Sequence, residues 1–283
     1  MKSPIFIAIL ILASQLAFAQ NEPLTGKTNQ KGKLYVYWGW NRGWYTTSDI
    51  SFKGADYDFK LNQVVAKDRQ TPFSLNAYLN PTLITIPQYN FRIGYFISKN
   101  YDISFGVDHM KYVVQSGQTV KISGYISNTE TSYDGEYDND DIVIEEGFLN
   151  FEHTDGLNYL NVEFRRFDNI YAFDNVRINL TEGFGLGALL PKTNSTLLKN
   201  ERHDDFNLAG YGISAVVAIN FTFYEVFFIQ SELKGGYINM PDIRTTMDKA
   251  DRGSQSFLFS QLNIVFGVSF KLGKKTQAQA TEL

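Results

Sequence analysis

The stretch Gln261-Leu262-Asn263-Ile264-Val265-Phe266-Gly267-Val268-Ser269-Phe270-Lys271-Leu272 decides the fold. Leu262, Ile264, Phe266, Val268, Phe270 and Leu272 fall on one parity. Gln261, Asn263, Val265, Gly267, Ser269 and Lys271 fall on the other. Side chains of a strand point alternately to opposite faces, so this segment reads as a strand with one apolar and one polar face. A soluble sandwich could use it, with core on one side and water on the other. Two further features favour lipid outside and a polar lumen inside.

The first is the N-terminus. Lys2 precedes an apolar run, Ile5 to Leu12, followed by Ala17-Phe18-Ala19 before Gln20. A basic start, a short apolar run and a small-x-small site make a signal peptide over residues 1–19. The run is too short to span a bilayer. The second is the placement of aromatics. Trp38, Trp40, Tyr89, Phe91, Tyr95, Phe105, Phe164, Phe221, Phe223, Phe266 and Phe270 share the apolar parity. Many lie near strand ends, where the aromatic girdles of outer-membrane barrels sit.

Seven further segments alternate in the same way. They are Lys33–Asn41, Gln88–Ser98, Ile103–Val114, Leu157–Phe167, Val176–Leu189, Asn207–Thr222 and Val226–Asn239, with the last strand at Ser256–Leu272. Connections after the second, fourth and sixth are short, and the others are long. An even-stranded outer-membrane barrel has this pattern, with short periplasmic turns and long extracellular loops. Each segment has the ~9–11 residues a tilted strand needs to cross the bilayer. The expected fold is therefore an all-β, eight-stranded antiparallel transmembrane barrel over 33–272. A periplasmic segment, 20–32, precedes it, and a polar periplasmic tail, 273–283, follows. A ten-stranded barrel is the alternative, since Asp49–Lys53 and Tyr57–Leu61 also alternate; otherwise they form a hairpin above the membrane.

Composition agrees. The chain has 283 residues, a length comfortable for one barrel. Mean hydropathy is −0.23, which argues against a helical membrane protein but suits a barrel, where only alternate residues meet lipid. The net charge of −4 is mild and argues against a nucleic-acid partner. There is no cysteine, so no disulfide or thiol chemistry.

The lumen of an eight-stranded barrel is filled by side chains. The inward parity supplies Gly183, Gly185, Gly187, Gly210, Gly212 and Ser214, facing Arg92, Glu163, Arg165, Arg177, Glu232 and Lys234. Charges buried at this density must be paired. A salt-bridge network holding the barrel shut is the first reading, and a narrow gated pore the second. Glu182 is a misfit, since strict alternation points it to lipid. A bulge could turn it inward, or a neighbouring strand could pair it.

Two constellations could carry chemistry. Alternation from Ile103, Phe105 and Val107 puts His109 and Lys111 on the lipid face. At ~3.3 Å per residue and a tilt near ~40°, His109 stands roughly 15–20 Å above the periplasmic turn, on the outer-leaflet side. There a His and a Lys could meet the phosphates and sugars of a lipid headgroup. A snorkelling Lys is the bland alternative, as is a bulge that returns both residues to the lumen. The second constellation is Glu152-His153-Thr154-Asp155, where the second long loop re-enters the barrel. His153 and Asp155 can act as acid–base groups or metal ligands, or simply form a solvated loop end. The candidate catalytic residues are thus His109, Lys111, His153 and Asp155. The acidic run Glu130 to Glu146 reads as a solvated loop, with a divalent-cation site facing lipopolysaccharide as the other option. It lacks the spacing of an EF-hand.

Several segments together resemble the outer-membrane lipid A oxidase family and its uncharacterised barrel relatives. They are Asp49-Ile50-Ser51-Phe52-Lys53-Gly54 through Thr71-Pro72-Phe73, Phe91-Arg92-Ile93-Gly94-Tyr95-Phe96, Phe105-Gly106-Val107-Asp108 and His109-Met110-Lys111. Asp155-Gly156-Leu157-Asn158, Gly183-Phe184-Gly185-Leu186-Gly187 with Pro191, and Glu232-Leu233-Lys234-Gly235-Gly236-Tyr237 complete the set. In this chain Asp108 abuts His109, a tighter spacing than the family's, and the Glu152–Asp155 segment carries an insertion. The resemblance implies action on lipopolysaccharide, with oxygen and a divalent metal. The expected protein is a monomer in the outer membrane that binds or modifies lipid A at the outer leaflet. The alternative is a non-catalytic barrel of the OmpA or OmpW type, serving envelope integrity, adhesion or passage of small apolar molecules.

Overall fold

The alternating segments become strands, and most run longer than their apolar faces require. The computed structural model describes residues 29–80, 82–83 and 86–271. The signal peptide expected at 1–19 and the tail expected at 273–283 lie outside them, as does most of 20–32.

In chain order the elements are β1 Lys33–Tyr45, β2 Ser48–Lys53, β3 Tyr57–Val64, β4 Ala66–Lys67, α1 Leu75–Leu79, β5 Tyr89–Phe96, β6 Tyr101–Val114 and β7 Thr119–Ile126. They continue with β8 Gly135–Val143, β9 Leu149–Phe173, β10 Val176–Leu189, β11 Lys192–Leu197, β12 His203–Phe206, β13 Gly210–Phe223, β14 Phe227–Arg244 and β15 Arg252–Lys271. Eight of them form a closed antiparallel ring in the order β1-β5-β6-β9-β10-β13-β14-β15. β15 closes on β1 from Lys33↔Lys271 to Tyr45↔Phe259. Closure leaves no unpaired ladder within the ring, which lipid demands. Tight turns join β5 to β6, β9 to β10 and β13 to β14. The last uses two successive left-handed residues, Tyr224 (φ 51°) and Glu225 (φ 58°), a turn whose twist matches that of the strands.

The ring is apolar outside and polar inside. Phe91, Ile93, Phe105, Phe164, Phe184, Ile213, Ile219, Ile264 and Phe266 are exposed on its outer face. Inside, the charges form one chain. Lys234 Nζ lies 2.6 Å from Asp108 Oδ2 and 2.6 Å from Glu163 Oε1. Glu163 also meets Arg92 at 2.8 Å and Arg165 at 2.5 Å, and Arg165 meets Glu232 at 2.7 Å. Tyr37 Oη accepts from Arg92 and Arg165 and donates to Glu232. Every carboxylate in this chain has a cation beside it, so the desolvation of each charge is offset by its neighbours. Arg177, expected in the same set, is only half-buried. It stands two residues from a periplasmic turn and pairs with Glu225 at 2.6 Å.

Glu182 keeps its outward parity. In register it lies opposite Arg166 of β9, also outward, near the periplasmic end. The ladder stays in register at this position, so no bulge turns Glu182 inward, and the nearest cation across the strand, Arg166, forms its ion pair with Asp168 at 2.6 Å.

Above the ring the strands continue into a second structure. β15 pairs with β2 through Gln255↔Ile50, and β2, β3, β7 and β8 follow in order, so Asp49–Lys53 and Tyr57–Leu61 form an extracellular hairpin instead of two more ring strands. Ile50, Phe52, Phe59, Leu61, Tyr112, Phe148, Phe151, Phe257 and Phe259 are buried there in one apolar cluster. This cluster explains why β9 starts at Leu149, eight residues before the expected start. Leu149 and Phe151 are core residues of the extracellular part. Among the described residues no helix is long and apolar enough to cross a membrane. A closed ring with an apolar belt and a charged, paired lumen is an integral outer-membrane β-barrel.

Candidate functional site: a groove on the lipid face

β6 holds its alternation through Val107, His109 and Lys111, so His109 stays on the lipid-facing parity. Yet it is only 8% exposed. Two neighbours cover it. Tyr89 of β5 lies opposite it in register and stacks on the imidazole, with centroids 4.9 Å apart and planes at 12°. On the other side His109 faces Asn158 of β9, and its Nδ1 lies 2.8 Å from Asn158 Oδ1. Asn158 Nδ2 is used elsewhere, donating to the Leu190 carbonyl at 3.1 Å. That bond turns the amide oxygen to the ring, so Nδ1 carries the proton and Nε2 is left as an acceptor.

A β-bulge builds the rest. The β6–β9 register runs Met110↔Leu157 and then Tyr112↔His153. Thr154, Asp155 and Gly156 of β9 therefore stand against Lys111 alone. Such a bulge re-aims side chains at the rim of a barrel. Gly156 is required at this place. Its φ is +127°, and a Cβ would sit 2.5 Å from Asn158 Nδ2, so a side chain would displace the amide that holds His109. The bulge brings Thr154 and Asp155 over His109 and Lys111. These residues, with Asn158, Ile86, Tyr89, Val107, Leu160, Leu190 and Phe206, line a groove of about 550 Å³.

The groove has a polar end and apolar walls. Lys111 Nζ donates to the Ile86 carbonyl at 2.9 Å and makes no ion pair among the described residues. Asp155 instead pairs with Lys192 at 3.0 Å, and Lys192 also lies 3.3 Å from Asp204. The Asp155 hydrogen bond, with help from Asp204, holds the Lys192 ammonium above its ordinary range. Asp155 is thus already matched, and the Lys111 charge is the one left for a ligand.

The structure brings together His109, Lys111 and Asp155 and places His153 elsewhere. Alternation across the bulge sends His153 inward, into the extracellular core beyond the apolar belt, where it is fully buried between Tyr112 and Phe151. Gln255 Nε2 donates to its Nε2 at 3.1 Å, so its Nδ1–H donates to Thr193 Oγ1 at 3.0 Å. Burial pushes its pKa down to about 3, so it is a neutral core group at physiological pH. Tyr89, Asn158, Gly156 and the wall residues Leu190 and Phe206 were not legible as site residues. Only the strand register and the bulge make them neighbours of His109.

No group of three or more His, Asp or Glu side chains among the described residues is placed to hold a metal ion. The groove offers His109 and Asp155 alone, and Asp155 is taken by Lys192. The residues present therefore do not fit a divalent metal. The acidic run folds largely into the β7–β8 hairpin, where Asp141 pairs with Lys121 at 2.9 Å.

No protein-family model matches the chain, and no curated protein does. Solved outer-membrane proteins are similar to it over most of its length. AlkL in DMPC bilayers is 11% identical, with a TM-score of 0.42, covering 92% of this chain and 100% of AlkL. OprG from Pseudomonas aeruginosa is 8% identical, with a TM-score of 0.38, covering 87% and 99%. Ail, the attachment invasion locus protein of Yersinia pestis, is 10% identical, with a TM-score of 0.34, covering 85% and 99%. At these identities none of the three says what this chain binds, and the barrel rests on its own strand order, belt and lumen.

Proposed function

We propose that this outer-membrane barrel binds the phosphorylated sugar headgroup of an outer-leaflet lipid, of the lipid A class, in the groove at His109 and Lys111. The observation that carries this reading is the Lys111 ammonium, with no carboxylate partner among the described residues, on the lipid-facing parity beside an imidazole whose Nε2 is an acceptor. A phosphate oxygen satisfies the first, and a sugar hydroxyl can donate to the second. Val107 and Leu160, paired one step down the strands from His109, give acyl chains an apolar wall below, and Leu190 and Phe206 flank the groove at its outer end. A barrel that used these residues only to fill space would have them isolated in lipid or paired in the lumen. The resemblance to lipid A oxidase supports the same class of ligand.

Native mass spectrometry of the folded protein released from nanodiscs tests the reading. Bis-phosphorylated lipid A is expected to be retained over its dephosphorylated form, and Lys111→Ala to remove that preference. Equal retention of the two lipids by the unmodified protein would overturn the proposal.

A further inference from the structure

The last part of the first long connection, after β4, differs from the other outer segments in its chemistry. From Gln70 to Asn90 and Phe91 no acidic or basic residue occurs, the flanking charges being Arg69 and Arg92. The β7–β8 hairpin at the same end carries Glu136, Asp138, Asp140 and Asp141. The β2–β3 hairpin presents the Lys53–Asp58 and Lys60–Asp49 ion pairs to solvent. A segment that stands in water commonly carries charge, and this one exposes apolar side chains instead. Phe73 is 77% exposed, Leu75 67% and Leu79 64%.

Their placement is ordered. Ser74 caps α1, its Oγ accepting from Ala77 N at 3.1 Å. Leu75 and Leu79 are four residues apart and share one face of the helix, while Asn76 and Asn80 hydrogen-bond on another. Tyr78, next to that apolar face, packs on Trp40 with centroids 5.5 Å apart, and on Phe73 at 5.3 Å. Trp40 is the last outward apolar residue of β1 before Arg42 marks the exit from lipid. The segment is therefore docked on the upper rim of the belt, and its apolar side chains continue the belt outward.

We infer that the stretch from Gln70 to Asn80 is a membrane-interface anchor: it lies in the outer leaflet beside β1 and β5, with Phe73, Leu75 and Leu79 in lipid. The occupant of its exposed face is the bilayer, because the face is continuous with the belt, uncharged and edged by Trp40 and Tyr78, residues suited to the headgroup level. The anchor stands whatever the His109 groove binds. Further along the same connection, Ile86 lines that groove, its carbonyl held by Lys111 Nζ.

The chain has no cysteine, so Leu75→Cys and Leu79→Cys can each carry one environment-sensitive fluorophore, with Lys53→Cys on the β2–β3 hairpin as the aqueous reference. All three are refolded into phosphatidylcholine vesicles and checked for a heat-dependent gel shift. The expected result at Leu75 and Leu79 is loss of quenching by aqueous iodide, relative to Lys53, and a gain of quenching by lipids brominated near the headgroup. Iodide quenching as strong as at Lys53 would overturn the inference and leave the connection standing in water.

Discussion

His109 Nδ1 lies 2.8 Å from Asn158 Oδ1 across the β6–β9 ladder, and Asn158 is itself tied to the Leu190 carbonyl. A neutral amide, not a carboxylate, orients this imidazole. It fixes the tautomer with the proton on Nδ1, which leaves Nε2 to accept a hydrogen bond from a ligand hydroxyl.

If the groove also supports chemistry on its lipid, His109→Ala should leave the barrel folded and abolish any lipid A change that depends on the protein. Lys111→Ala should weaken that change, because other polar groups still hold the headgroup. Mass spectrometry of lipid A from deletion, variant and wild-type cells reads this directly. Identical spectra from deletion and wild-type cells across growth conditions would leave binding without modification.

Gly156→Ala is expected to loosen the groove and not the lumen. The new Cβ meets the Asn158 side chain, and the positive φ adds roughly 1 kcal/mol of strain. Lipid retention should fall as it does for Asn158→Ala, with urea unfolding shifted by no more than about 1–2 kcal/mol. A variant with unchanged retention would show that the bulge does not position His109.

In the lumen, Glu163→Gln leaves Arg92, Arg165 and Lys234 buried with one carboxylate fewer. Breaking a buried ion pair from one side costs about 3–5 kcal/mol. Urea unfolding in lipid vesicles should show a loss of that size. A loss near the ~0–1 kcal/mol of a surface pair would mean that water reaches the network.

Phe266→Asp should damage assembly far more than Ser269→Asp. Phe266 is 43% exposed on the belt, beside Trp40. Ser269 faces the periplasmic mouth of the lumen, in a cavity that also contains Lys33 and Arg165. A charge within the hydrocarbon costs up to about 2–4 kcal/mol, and one in the lumen can be solvated or paired. Equal damage in vesicle unfolding would place Phe266 away from lipid.

His153 predicts an acid sensitivity. Its folded pKa, about 3, lies below the ordinary 6.5. The neutral ring's contribution is complete above pH 6.5 and is lost as the pH falls from there towards 3, by at most about 1.4 kcal/mol per pH unit. His153→Gln should flatten the urea stability profile between pH 6.5 and 5. A profile as steep as wild type would assign the acid loss to other groups.

The sequence by itself determined the barrel, because lipid outside and a filled lumen inside impose a period of two that a strand cannot hide. β10 runs from Val176 to Leu189, matching the alternating segment residue for residue. The inward placement of Arg92, Glu163, Arg165, Glu232 and Lys234 followed from the same parity, while Asp108, which also meets Lys234, was added only by the structure. The tertiary structure alone decided the groove. Parity placed His109 and Lys111 on the outer face, but Asn158, Tyr89 and Asp155 reach them only through strand register and a bulge, and neither leaves a periodic trace. The same bulge sent His153 inward, two residues from Asp155 yet on the other side of the wall. Alternation is local and readable, whereas the pairing of distant strands is set by packing across the whole ring.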